Sequence, residues 1–187
     1  MRKTKKNTTR VFTDNHYNSR DGMLTTVWGP SMWHYLHTMS FNYPVKPSVS
    51  DKYHYRKFFL ELKYVLPCGK CRVNLANNIK KNPLLMRHLK SREAFSRYIY
   101  DLHEMVNDML DKKSGLSYDD VKDRYEHFRA RCKIAAVKKT RKLKATEKGC
   151  TEPVYGEKSK CVLHVMPAKT KCETLKIDTQ CLQKLEA

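Results

Sequence analysis

The sequence predicts an all-α fold: a four-helix bundle, a short fifth helix, and a small Cys-rich tail that leans towards β-structure. Three observations predict it. Apolar side chains recur with a period of about 3.6 residues along several segments, the longest following Ser91. Only six Gly and seven Pro occur in 187 residues, too few for the turns of a β-sandwich. Tyr43-Pro44, Pro47, Pro67, Asn82-Pro83 and Ser114-Gly115 fall between the periodic segments, where such residues end helices. A hydrophobic content of 40% with eleven Tyr and six Phe is enough to fill the core of one domain.

Residues 1–26 are polar and basic without a sustained period, and are expected to form an arm. The first helix is expected from Pro30, because a proline in a first turn lacks only an N–H that would be unpaired there. Trp33, Leu36, His37, Ser40 and Phe41 then share one face. A second helix is expected from near Ser50 to Leu66, with Phe58, Phe59, Leu62, Val65 and Leu66 as its stripe. After Pro67 a third begins at Cys68 and points Val73, Ala76 and Ile79 inward until Asn82-Pro83. Ser91 is the N-cap of a fourth, which carries Phe95, Tyr98, Ile99, Leu102, Val106, Met109 and Leu110. Ser117 and Asp120 form a capping-box pattern with Asp in place of Glu. The fifth helix runs from there through Val121, Tyr125 and Phe128 towards Cys132. The basic run from Lys138 to Lys144 reads as a linker, and Val162–Met166 and Thr174–Ile177 read as short strands. The expected organisation is an arm over 1–26, a helical domain over 27–132, a linker over 133–149 and a Cys-rich tail over 150–187.

Lys and Arg exceed Asp and Glu by 38 to 19, a net charge of +19. Such an excess favours nucleic acid, anionic lipid or acidic proteins as partners. No RNP, zinc-finger or helix-turn-helix signature accompanies it, so a nucleic-acid-binding or virion structural protein stands as the alternative class and not the first. No apolar run approaches the roughly 20 residues of a membrane span. No apolar h-region follows the basic start at Met1–Lys6, so no secretory leader and a cytoplasmic residence are expected.

Seven cysteines are spread unevenly. None precedes Cys68; Cys68 and Cys71 form a C-x-x-C; five more stand at Cys132, Cys150, Cys161, Cys172 and Cys181. A C-x-x-C at a helix start can close as a disulfide, and its thiolates are stabilised by unpaired N–H groups and the helix dipole. It can also be half of a zinc site, but no second C-x-x-C or His-rich partner stands at zinc spacing, so no metal is expected there. A redox dithiol needs an acceptor for two electrons. A βαβ carrier fold is disfavoured by the helical periods around the motif, which leaves a bound flavin as the other common acceptor. A helical protein holding one needs aromatic and hydrogen-bonding side chains facing one crevice. Trp33 and His37 stand four apart on one helix, and His103 and Asn107 four apart on another.

Several stretches together resemble the Erv/ALR family of FAD-linked sulfhydryl oxidases, over about residues 27–128. The first is Trp28-Gly29-Pro30-Ser31-Met32-Trp33-His34-Tyr35-Leu36-His37, followed by Tyr43-Pro44 and Pro67-Cys68-Gly69-Lys70-Cys71. Then come Ser91-Arg92-Glu93-Ala94-Phe95, leading to Leu102-His103-x-x-Val106-Asn107, and finally Arg124-Tyr125. The resemblance implies a bundle with FAD at its mouth beside the C-x-x-C. Catalysis would fall to Cys68 and Cys71, with Cys71 nearer the flavin. Contacts to FAD would come from Gly29, Trp33, His37, Tyr43, His103, Val106, Asn107, Lys112, Lys113, Arg124 and Tyr125. Electrons would pass from a protein dithiol, a thioredoxin-like carrier among the candidates, through the cysteine pair to FAD and on to dioxygen. The resemblance further implies a homodimer through the first two helices. It is greatest to members encoded by large cytoplasmic DNA viruses, which implies the host cytoplasm and the virion as locations.

The chain also departs from that family. Tyr100 stands where the family has a Cys, Glu104 where it has Asn after the His, and the partner cysteine falls near Tyr118. Both ends of one staple are missing together, so packing is expected to hold that corner. In the tail, Cys150, Cys161, Cys172 and Cys181 could supply the shuttle pair that such oxidases use. Two structural disulfides, or four ligands of one zinc, account for them equally. Cys132 is expected as a buried free thiol. Each remaining residue has an ordinary role open to it as well: Trp33 as a core aromatic, His37 and His103 as satisfied histidines, Asn107 as a solvated amide, and Lys112, Lys113 and Arg124 as a basic face.

Overall fold

The computed structural model describes residues 12–19, 22–131, 150–167, 169–171 and 176–182. In chain order they form α1 (Asp14–Tyr17), α2 (Thr25–Phe41), α3 (Val49–Val65), α4 (Gly69–Lys81), α5 (Arg92–Met109) and α6 (Tyr118–Glu126), then β1 (Ala130–Arg131) and β2 (Glu152–Pro153). Single 3₁₀ turns lie at Met86–Leu89 and Thr179–Cys181. Helices α2 to α5 make the bundle, and α6 packs on α2. The core joins Leu36 of α2, Phe59 and Leu62 of α3, and Phe95, Tyr98, Ile99 and Leu102 of α5, with Tyr43, Leu84 and Leu89 from the connections. Each such side chain contributes about 1.5–3 kcal/mol on burial. A second cluster of Phe41, Tyr118, Val121 and Tyr125 seats α6.

Serines start three of these helices. Ser48, Ser91 and Ser117 accept hydrogen bonds from Asp51, Ala94 and Asp120 N–H. Asp51 and Asp120 return the bond to the cap N–H at 2.8 Å, so the Asp version of the capping box is present twice. Each cap contributes about 1 kcal/mol.

Several sequence expectations need correction. Helix α2 begins at Thr25, and Pro30 lies inside it. The extra turn is held from outside, by Met23 N–H donating to the Pro67 carbonyl at 2.8 Å and the Trp28 indole donating to the Met23 carbonyl at 3.1 Å. Phe58, Val65 and Val73 are exposed; the true stripe of α3 is Tyr55, Phe59 and Leu62, continued by Leu66 just past its end. Helix α6 ends at Glu126 and not near Cys132. Arg129 turns the chain there, gripping Glu126 and donating to the Phe41 carbonyl. Val162–Met166 is not a strand. Val162, Leu163, Val165 and Met166 are all exposed, and among the described residues no neighbouring strand takes up their backbone groups. Thr174 and Leu175 lie outside the described residues, as does Cys132, and Ile177 is not in a strand. The β-structure described is the antiparallel pair β1–β2, with Ala130 opposite Pro153 and Arg131 opposite Glu152.

Packing does hold the α5–α6 corner. The Tyr100 and Tyr118 rings meet edge to face at 5.8 Å. The Tyr118 hydroxyl is 2.8 Å from Ser96 Oγ, Tyr100 donates to the Leu116 carbonyl at 2.8 Å, and the Arg97 guanidinium lies 3.8 Å over the Tyr118 ring.

Candidate active site

Pro67 ends the α3 segment, and Cys68 adopts an extended backbone as the N-cap of α4. Its Sγ accepts from Cys71 N–H at 3.2 Å. Cys68 and Cys71 are joined as a disulfide, with their Cα atoms 5.2 Å apart, and both are half-buried. The unpaired N–H groups and positive end of α4 therefore face this sulfur pair. The segment before α2 is pressed against the same loop. Gly22 has φ +96°, and a Cβ there would stand 2.6 Å from the Pro67 carbonyl oxygen, so the position needs glycine. Thr25 Oγ1 comes within 3.7 Å of Cys71 Sγ.

Further along α2 stands a wall of rings. Trp33 stacks on His103 of α5 at 4.0 Å and 9° between planes. His37 Nε2 and His103 Nδ1 are 3.0 Å apart, so one ring donates and the other accepts. Tyr125 of α6 closes the row, its ring 5.1 Å from His37 and its hydroxyl 3.3 Å from His34 Nδ1. Burial, then the neighbouring His103 and His34, pushes His37 down to about 3. Burial brings His103 down to about 4, with nearby Glu104 opposing and Lys112 assisting. Both imidazoles are neutral at pH 7. Buried His37 Nδ1 has no hydrogen-bond partner among the described residues, so it is a polar atom left over for something else. Among the described residues no helix is long and apolar enough to cross a membrane.

A model of the Erv1/Alr family matches residues 30–126, just over half of the chain. This chain belongs to the Erv1/Alr family. Its relatives include a probable FAD-linked sulfhydryl oxidase, R368, of Acanthamoeba polyphaga mimivirus. That protein is 41% identical over 91 residues, 49% of this chain and 64% of the relative. The 347L protein of Invertebrate iridescent virus 6, also a FAD-linked sulfhydryl oxidase by name, is 30% identical over 90 residues, 46% of this chain and 81% of the relative. The chain thus spans just under two thirds of the mimivirus protein. The yeast Erv1 core has the same fold, with a TM-score of 0.51, 22% identity, and coverage of 65% of this chain and 96% of that one.

Within this Erv1/Alr chain, the structure brings Trp33, His37, His103 and Tyr125 together, and Lys112 lies close enough to His103 to lower its affinity for a proton. Asn107 is half-buried one turn beyond His103, its amide donating to Glu104 Oε1 at 2.9 Å. Glu104 Oε2 also accepts from Ser114. Val106 and Arg124 are half-buried, and Lys113 is exposed. Among the described residues a Cβ on Gly29 would meet only Thr25 Cγ2, at 3.6 Å, so none of them requires glycine there. Tyr43 is different. It is fully buried, packs between Tyr55 and Phe95, and donates to the Leu89 carbonyl at 3.0 Å, so it has no surface to offer a ligand. In the tail Cys150 is disulfide-bonded, Cys161 and Cys181 are free thiols, and Cys172 lies outside the described residues. Sequence reasoning missed His34 as part of the wall and Thr25 at the disulfide. The one signal for His34 is its adjacency to Trp33.

Proposed function

We propose that this chain is a FAD-dependent thiol oxidase that forms disulfides in protein dithiols, with Cys68 and Cys71 as the redox pair. The single observation that carries this reading is the joining of two features by one helix. Helix α2 touches the Cys68–Cys71 disulfide through Thr25 and carries Trp33 and His37 about 12 and 18 Å further along its axis. An acceptor that serves both ends is an extended molecule with a flat ring, and FAD meets that description. The residues present fit it. His37 Nδ1 is a buried orphan, Gly29 leaves its side of α2 open, Trp33 and His103 offer ring faces, and Lys112, Lys113 and Arg124 supply charge-assisted donors for a diphosphate. FAD, when bound, takes the electron pair and passes it to dioxygen, giving hydrogen peroxide.

The chain's own part is thiol exchange. A substrate thiolate attacks Cys68 Sγ and Cys71 leaves as the thiolate. His37 and His103, held neutral, keep positive charge out of the wall. The names of the viral relatives support the same reading, and the nucleic-acid alternative is not favoured. The catalytic unit is residues 27–132, with the cysteines of the tail as the candidate shuttle. The exposed Tyr35 and Phe58, in edge contact across α2 and α3, are the surface on which a homodimer would close. A thioredoxin-like carrier is the candidate substrate, and the host cytoplasm and virion the candidate locations. Replacement of each cysteine tests the redox role: Cys71→Ser and Cys68→Ser should both retain FAD and lose dithiol oxidation. Normal turnover of dithiothreitol by Cys68→Ser would remove the pair from the mechanism.

A further inference from the structure

The geometry points to Thr25 as the hydroxyl donor that receives the charge of Cys71 when the Cys68–Cys71 disulfide opens. Thr25 is 46 positions from Cys71 in the chain, yet its Oγ1 lies 3.7 Å from Cys71 Sγ. A disulfide sulfur carries no hydrogen, so the hydroxyl donates. Three features hold it there. Met23 N–H donates to the Pro67 carbonyl, the Trp28 indole donates to the Met23 carbonyl, and Gly22 lies so close to the Pro67 carbonyl that a side chain would collide with it. Thr25 is also the first residue of α2, so the positive end of a second helix sits beside this sulfur.

The two sulfurs have different donors. Cys68 Sγ, the one attacked, accepts from Cys71 N–H at the start of α4. Cys71 Sγ, the one that departs, has the Thr25 hydroxyl. The charged neighbours of Cys71 on α4 are Lys70, which is exposed, and Arg72, whose guanidinium donates to the Leu66 carbonyl at 2.6 Å. Resting on the oxidase reading, the step is a thiol–disulfide exchange. The substrate sulfur bonds to Cys68 Sγ, the Cys68–Cys71 bond breaks, and its electron pair leaves on Cys71 Sγ. Exchange quickens as the leaving thiol becomes more acidic. A hydroxyl that donates to the thiolate makes it so.

The test uses the full chain carrying Cys68→Ser, with Thr25→Val, Thr25→Ala and Thr25→Ser added separately. Iodoacetamide alkylation of Cys71 is followed across pH by mass spectrometry of its peptide, because Cys161 and Cys181 also react. Thr25→Val and Thr25→Ala should shift the thiolate midpoint upward and slow alkylation at neutral pH about three- to tenfold. Thr25→Ser should stay within about twofold of the parent, since it keeps the donor. Circular dichroism checks that each variant is folded, and the two independent removals of the hydroxyl guard against one that is not. Profiles that superimpose for Val, Ala and parent, or a Ser variant that behaves like Val, would overturn the assignment. Alkylation needs neither FAD nor turnover, so it stays readable if the oxidase reading itself fails.

Discussion

His37 and His103 set a pH dependence that the fold cannot avoid. Burial holds them down to about 3 and about 4, against an ordinary value of 6.5. Below that ordinary value the unfolded chain binds protons that the folded chain refuses, so stability falls as pH falls. The loss begins near pH 6.5, runs until the folded rings protonate, and reaches about 1.4 kcal/mol per pH unit for each histidine. The melting temperature should be flat from pH 7 to 8 and drop between pH 6 and 4. His103→Gln should make that drop shallower; an unchanged slope would mean the ring is not buried neutral. At this scale the sequence was partly legible. Trp33 with His37, and His103 with Asn107, stand out because helical spacing puts each pair on one face. Tyr43 lies in a family stretch yet belongs to the core. Thr25 carries no sequence signal, because its contact is with a residue 46 positions away.

Elements were legible where local chemistry decides them and illegible where distant contacts do. Ser91, and Ser117 with Asp120, are caps whose partners lie within three residues, so they can be read directly. The extra turn of α2 cannot be, because it depends on Pro67 through Met23. Val162–Met166 has the apolar, β-branched composition of a strand, but its apolar side chains are exposed. The α5–α6 corner shows the opposite case, in which the missing cysteines point to a packed contact and aromatic rings provide it. Tyr118→Ala removes the ring that Phe41, Tyr100 and Arg97 pack against, and should cost about 3–5 kcal/mol in urea denaturation. Tyr118→Phe keeps the ring and loses only the bond to buried Ser96 Oγ, at about 1 kcal/mol. Equal effects of the two would show that the hydroxyl, and not the ring, holds the corner.

At the scale of the whole molecule, the two apolar clusters draw only on residues between Met32 and Phe128. The contacts described between the tail and the helical part include the two residue pairs of β1–β2, the Val154 N–H bond to the Arg129 carbonyl, and the Tyr155 ring against His127. A chain of residues 1–135 should therefore stay folded and bind FAD, and should oxidise a small dithiol that reaches Cys68 directly. It should lose much of its rate on a reduced protein if the tail cysteines act as a shuttle. Equal rates on both substrates would assign those cysteines a structural role. The central claim is that Cys68 and Cys71 deliver electrons to a FAD held by the wall on α2 and α5, and the absorbance spectrum of the purified full chain tests it most directly. With FAD supplied, the protein should retain a flavin spectrum through gel filtration, bleach when dithiothreitol is added without oxygen, and recover its colour in air with release of hydrogen peroxide. A folded protein that stays colourless with excess FAD, or holds FAD that dithiothreitol does not bleach, would contradict the account.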